Sequence, residues 1–335
     1  MTDKLTLLRK EIEATIPHAL GQPYPSTPRG DSIQRKAVLK GRGFNPIVLM
    51  NVAIRRAQPS DIDVCARINY EAFKDICDRH HFPTYFRTLE FSTEIIELLI
   101  ESPLCFGIVA EREGAVVGCG FMDERNPIRG IGPVAVDRTF QARGTGREIM
   151  KALLERGQDA RGIRLLQESF NLASLSLYAS LGFEVKEPLV LMEGKFRSQP
   201  PYGLEVRPMA SEDVEECAAL CEKLCKCDRT LEIEDALNYY SPFVACKEGR
   251  IVAYTCAVSA SSHSVAQTEA DMQALLLGSA AYSSEELPSF LLPLRYASLF
   301  RWCLQEGLRA IKPLAVMSVG EYQSPEGCWF PSFAY

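Results

Sequence analysis

Between Val134 and Met150 the chain reads Val-Ala-Val-Asp-Arg-Thr-Phe-Gln-Ala-Arg-Gly-Thr-Gly-Arg-Glu-Ile-Met. Gly144 and Gly146 fall where a β-branched run gives way to apolar positions at helical spacing, namely Ile149, Met150, Leu153 and Leu154. Glycine there permits close backbone approach and dihedrals that other residues avoid. The first N–H groups of a helix have no partner within it, and the helix dipole favours negative charge at that end. A strand, a glycine turn and a bare helix start therefore suit a pyrophosphate. Two rival glycine patterns are spelled differently: a dinucleotide turn needs Gly-x-Gly-x-x-Gly, and a P-loop needs Gly-Lys-Ser/Thr.

A second chemical stretch follows, Asn171-Leu-Ala-Ser-Leu-Ser-Leu-Tyr-Ala-Ser-Leu-Gly-Phe183. Asn171 is a good N-cap and Gly182 sits where a helix would stop. On the helix between them Asn171, Ser174 and Tyr178 are spaced i, i+3, i+7 and share a face. That polar stripe ends in a phenol, a group able to donate a proton to a leaving group. Carboxylates near strand ends, Asp123, Glu124 and Glu168, are candidates for the reverse task, with Glu124 placed in the catalytic set. A water chain is the alternative base.

The pattern Gln-x-x-Gly-x-Gly after a strand, with Asn, Tyr and Gly-Phe later in order, resembles the GNAT superfamily of N-acetyltransferases. The resemblance implies an α/β fold with a mixed sheet, and transfer of an acetyl (or other acyl) group from acetyl-CoA to a primary amine by direct attack. It implies that the main chain of Val134, Ala135 and Val136 carries the pantetheine arm like an added strand. The loop Gln141, Ala142, Arg143, Gly144, Thr145, Gly146 and Arg147 would hold the pyrophosphate, and Asn171 would touch the CoA arm. Tyr178 would protonate the leaving thiolate, and a backbone N–H near Val134 would polarise the thioester carbonyl. His80 and His81 lie between the first two helices, where relatives select acceptors; the bland reading of both is structural or solvated. A non-catalytic protein that retains acyl-CoA is the alternative to an enzyme.

The elements that must position these groups also read in order. A short strand around Ile54 leads into a helix capped near Ser60 or Asp61, and a second helix spans roughly 93–100. Cys105–Glu111 and Ala115–Met122 form a hairpin turning at Glu113-Gly114, strand four covers about 132–136, and a last strand lies near 189–192. This β-α-α-β-β-β-α-β-α order is that of a GNAT domain over 52–196. After a linker at 197–203 the opening returns: Val206-Arg-Pro-Met-Ala-Ser-Glu-Asp matches Ile54-Arg-Arg-Ala-Gln-Pro-Ser-Asp at an offset of 152 (213 − 61). Gly307–Met317 matches Gly182–Met192 at an offset of 125 (307 − 182). A duplicated, tandem GNAT fold is the expectation. In the second copy, 204–335, Cys303 stands for Tyr178, Tyr296 for Asn171, and the glycine loop is missing, so that copy reads as degenerate.

Composition bounds the rest. The chain has 335 residues with a net charge of −6, which gives a nucleic-acid role no support in bulk electrostatics. No apolar run approaches ~18 residues, and the start lacks a signal-peptide core, so the expectation is a cytoplasmic monomer or homodimer without metal. Residues 1–51 read as a charged helix and a proline-rich, basic, partly flexible extension. Of 12 cysteines, Cys217, Cys221 and Cys225 recur every four residues and read as one packed helix face.

Overall fold

The first repeat folds in the expected order: β1 (Ala53–Arg56), α1 (Ile62–His80), α2 (Leu89–Glu101), β2 (Cys105–Arg112), β3 (Ala115–Asp123), β4 (Ile128–Val136), α3 (Thr145–Arg156), β5 (Gly162–Glu168), α4 (Leu172–Ser180) and β6 (Glu184–Glu193). The computed structural model describes residues 52–199, 205–282 and 287–333. The extension expected at 1–51 and part of the linker at 197–203 lie outside them. The second repeat supplies β7 (Glu205–Pro208), α5 (Val214–Cys225), α6 (Thr230–Tyr239), β8 (Phe243–Lys247), β9 (Arg250–Thr255), β10 (Ser264–Ala266), α7 (Glu269–Tyr282), β11 (Ser289–Pro293), α8 (Ala297–Gln305), β12 (Arg309–Gly320) and β13 (Cys328–Phe330).

Both repeats open on the same lock. Asp61 takes both terminal nitrogens of the Arg55 guanidinium and the Gln58 amide, closing the turn that starts α1. Asp213 does the same with Arg207 and the Ala210 amide. The arginine holds each carboxyl below the usual aspartate range despite partial burial. Cys65, Ala66 and Ile68 on α1 then bury against Val109 and Cys119 of the hairpin. Helix α2 begins four residues before the expected position because Thr88 caps it, its Oγ1 accepting from the Phe91 amide at 3.1 Å.

The sheets are where the repeats meet. One has the order β1-β2-β3-β4-β5-β12-β6-β11, the other β13-β10-β9-β8-β7. Each repeat thus inserts its late strand into the other: β12 lies between β5 and β6, and β6 lies between β12 and β11. The register is symmetric to the residue. Leu189 pairs with Leu314, its own counterpart (314 − 189 = 125), while Glu168 pairs with Leu314 and Pro293 with Leu189 (293 − 168 = 125). A local two-fold axis therefore passes through the β6–β12 pair. A shared core seals the exchange, in which Ile128 and Leu189 of the first repeat pack among Leu220, Tyr254, Leu314 and Trp329 of the second. Cys217, Cys221 and Cys225 are buried there too. Helix α7 is apolar nearly all round and correspondingly buried. No helix among the described residues is long and apolar enough to cross a membrane.

Candidate active site

Strand β4 is parallel to β5 only from Ile128 to Ile131, opposite Gly162 to Leu165. β4 then continues to Val136 along β3, while β5 runs to Glu168 with its other edge on the inserted β12 throughout. The backbone edge of β4 beyond Ile131 thus faces a wedge-shaped notch with no ladder partner there. Strand alternation divides the residues around it. Val134 and Val136 join the α3-side core, and Ala135 joins the α1-side core. Gly120 on β3 brings α3 close: a Cβ there would lie 2.6 Å from Ile149 Cγ2.

The glycine loop runs off the end of β4 into α3. Gln141 Nε2 donates to the Val136 carbonyl at 3.1 Å, and Arg112 reaches under the loop to the Arg143 carbonyl at 3.0 Å. Ala142 and Gly144 both have left-handed backbones (φ 59° and 87°), which turns successive amides toward one side. Gly144 is the N-cap of α3, no side chain caps this helix, and a Cβ on Gly144 would meet nothing within 4 Å. Thr145 is buried, yet its Oγ1 has no hydrogen-bond partner. Arg143 is exposed beside the loop, and Arg147, in the first turn of α3, donates to Ser180 Oγ at 2.8 Å. An open, uncapped helix start with two arginines and an orphan hydroxyl has the donors for a diphosphate.

Across the notch, Asn171 caps α4, its Oδ1 accepting from the Ser174 amide at 3.2 Å. Gln167 Nε2 ties β5 to that turn through the Asn171 carbonyl (2.9 Å) and Ser174 Oγ (3.2 Å). Tyr178, one turn later and partly buried, rests against Phe183 with ring centroids 6.1 Å apart. Burial pushes its phenol up to about 12, so the group carries its proton at neutral pH. The glycine loop and Tyr178 therefore lie on the same, α3 side of the sheet, Tyr178 in one cluster with Val134 and Val136.

The expected base is placed elsewhere. Glu124 follows β3 and accepts both Nε and Nη2 of Arg156 at 2.9 Å, with Arg129 at 3.5 Å. Arg156 is the last residue of α3, so Glu124 sits at the end of that helix away from the glycine loop, engaged with two guanidinium groups. Asp123 is likewise held by Arg125. Glu168, at the end of β5, borders the notch: its Oε1 accepts from Lys312 Nζ at 2.6 Å and its Oε2 from Cys77 Sγ at 3.8 Å. His81 ends α1 as a left-handed C-cap (φ 58°), a structural role. His80 lies 5.3 Å from the Phe170 ring, which stacks on Phe82 at 4.6 Å, so His80 reaches the end of β5. Lys312 carries no sequence signal, since it approaches from 144 residues away on the exchanged strand.

Comparison with known proteins agrees with this geometry. Residues 70–183, spanning the glycine loop and Tyr178, match the sequence model of the Acetyltransferase (GNAT) family. A putative acetyltransferase from Pyrococcus horikoshii has the same fold over 82% of this chain and 91% of its own, at 20% identity and a TM-score of 0.63. A tandem GNAT protein from the clavulanic acid biosynthesis pathway, solved without AcCoA, is covered completely at 12% identity and a TM-score of 0.55. A GCN5-related N-acetyltransferase from Sphaerobacter thermophilus is covered over 96% of its length at 13% identity and a TM-score of 0.54. No curated protein sequence matches the chain.

Proposed function

We propose that this chain is a GNAT-superfamily protein with two domains in tandem, and that its first half, 52–196, transfers an acetyl group from acetyl-CoA to a primary amine of a small molecule or peptide. The remainder, 204–335, is its degenerate partner. The observation that carries the reading is the pairing, on one side of the sheet, of an uncapped helix start with the Tyr178 phenol, which packs in the same cluster as Val134 and Val136.

In this reading the amides from Ala142 through Arg147 and the two arginines hold the pyrophosphate of CoA. The free edge of Val134, Ala135 and Val136 receives the pantetheine arm as a strand would be received, and Asn171 contacts that arm. The amine nitrogen attacks the thioester carbon, the C–N bond forms and the C–S bond breaks. Tyr178 gives its proton to the departing sulfur. Direct attack is favoured over an acyl-cysteine route because Cys77, the thiol beside Glu168, is pushed up to about 12, chiefly by burial, and stays protonated.

The test is acetyl transfer by the purified chain to a panel of primary amines (spermidine, lysine methyl ester, tyramine), following free thiol release. Amine-dependent release supports the proposal. Tight CoA binding with no transfer to any amine would instead assign an acyl-CoA-binding role.

A further inference from the structure

The geometry points to Lys312, delivered by the second half on its exchanged strand, as the residue that positions Glu168 to take the acceptor's proton; the active centre is then incomplete without the degenerate copy. This inference rests on the acetyltransferase reading.

Glu168 occupies the part of β5 that has already parted from β4. Its neighbour Gln167 turns to α4, the Tyr178 side, so alternation sends Glu168 to the opposite face. The contact with Cys77 on α1 agrees with that. Acid and base thus stand on opposite faces with the notch between them, one beside the leaving sulfur and one beside an incoming amine. Glu168 keeps 11% of its side chain exposed, enough for contact with a ligand, whereas Lys312 is 1% exposed at the side chain and sealed from it.

A buried ammonium needs an anion, and a nearly buried carboxylate needs a cation to remain ionised. Lys312 from β12 and Cys77 from α1 both face Glu168; the lysine bonds Oε1, and the weak thiol donor at Oε2 leaves that oxygen able to accept a proton from an ammonium. The proton then passes to solvent, while the one given up by Tyr178 leaves on the thiol of CoA.

The symmetric position in the second half lacks this device. The counterpart of Glu168 is Pro293 and that of Lys312 is Glu187 (312 − 187 = 125), which binds Arg295. Each exchanged strand carries a buried charge across the axis, of opposite sign: Lys312 meets Glu168 in the first half, and Glu187 meets Arg295 in the second.

The experiment is the pH profile of acetyl transfer to the same amine panel, with KM for acetyl-CoA measured in parallel. Glu168→Gln should lower kcat/KM for the amine by about 100-fold or more and remove the acid limb. Lys312→Met should move the acid limb to higher pH at unchanged KM for acetyl-CoA, and Lys312→Arg should restore it. Should Lys312→Met fail to fold, the double variant Glu168→Gln/Lys312→Met, which leaves no unpaired charge, should fold and match the Glu168→Gln rate. A pair that serves packing alone would lower the melting temperature in Lys312→Met and leave the pH profile in place, which overturns the inference. So would wild-type kcat with an intact acid limb in Glu168→Gln. Absence of transfer by the wild-type chain to every amine would instead overturn the acetyltransferase reading and this inference together.

Discussion

The two helix starts that follow the fourth strand of each repeat, α3 and α7, hold the same place in the duplicated plan and have opposite character. The first opens on Gly144 with no capping side chain and an orphan threonine hydroxyl. The second is closed by the Thr268 hydroxyl, with two carboxylates beside it. Thr268 Oγ1 donates to Asp271 Oδ2 at 2.6 Å while accepting from the Asp271 amide at 3.1 Å, and Glu269 accepts from the Leu299 amide at 2.9 Å. An anion that one helix start attracts, the other repels. Tyr178 and its counterpart Cys303 differ as sharply, since Cys303 is fully buried against the core. The opening Arg–Asp locks and the exchanged strands are meanwhile alike in both halves. Duplication has preserved what holds the fold and altered the loop and the phenol on which the proposed chemistry rests.

The largest difference between the halves is expected at the phenol. Tyr178→Phe should cut turnover by about 100- to 10,000-fold at unchanged CoA affinity, while Cys303→Ser leaves turnover as it was; steady-state kinetics with calorimetry on both variants reads the asymmetry. Next in size is the loop. Gly144→Asp adds both a side chain at positive φ and a carboxylate like those of α7, and should weaken CoA binding at least tenfold, about 1.4 kcal/mol. Unaltered affinity would dissociate the loop from the pyrophosphate.

The shared features sharpen the comparison by predicting equal effects. Asp61→Asn and Asp213→Asn should each cost about 1–3 kcal/mol in chemical denaturation, less than a fully buried pair because both arginines are part exposed. Each aspartate is held below its ordinary value by its arginine, so the stability it adds is present above the unfolded aspartate pKa. That stability is lost as pH falls below about 4 through the folded value. Unequal losses in the two halves would contradict equivalent locks. The smallest effect is on the alkaline side: with Tyr178 raised to about 12, kcat should hold through pH 9 and fall only as that value is approached.

Element order, the helix that carries the glycine loop, the Asn171 cap and the duplication were all legible in the sequence, because each rests on local spacing. Strand β4 begins at Ile128 and not near Gly132, since Gly130, Gly132 and Pro133 disguise its first half as a turn. The exchange of β6 and β12 left no local trace: periodicity identifies both as strands, but their near-identical patterns suit either partner. The choice among the three candidate carboxylates was not legible for the same reason. Glu124 lies at a strand end like Glu168, and only the fold brings Arg156 to one and Lys312 to the other. Residues 1–51 remain outside what the structure describes.

In the proposed function one half grips a diphosphate and the other does not. Isothermal titration of the full chain with CoA, in parallel with Gly144→Asp, tests it in one measurement. One CoA bound per wild-type chain, weakened in the variant, is the predicted result; two per chain, or an affinity indifferent to position 144, would contradict it.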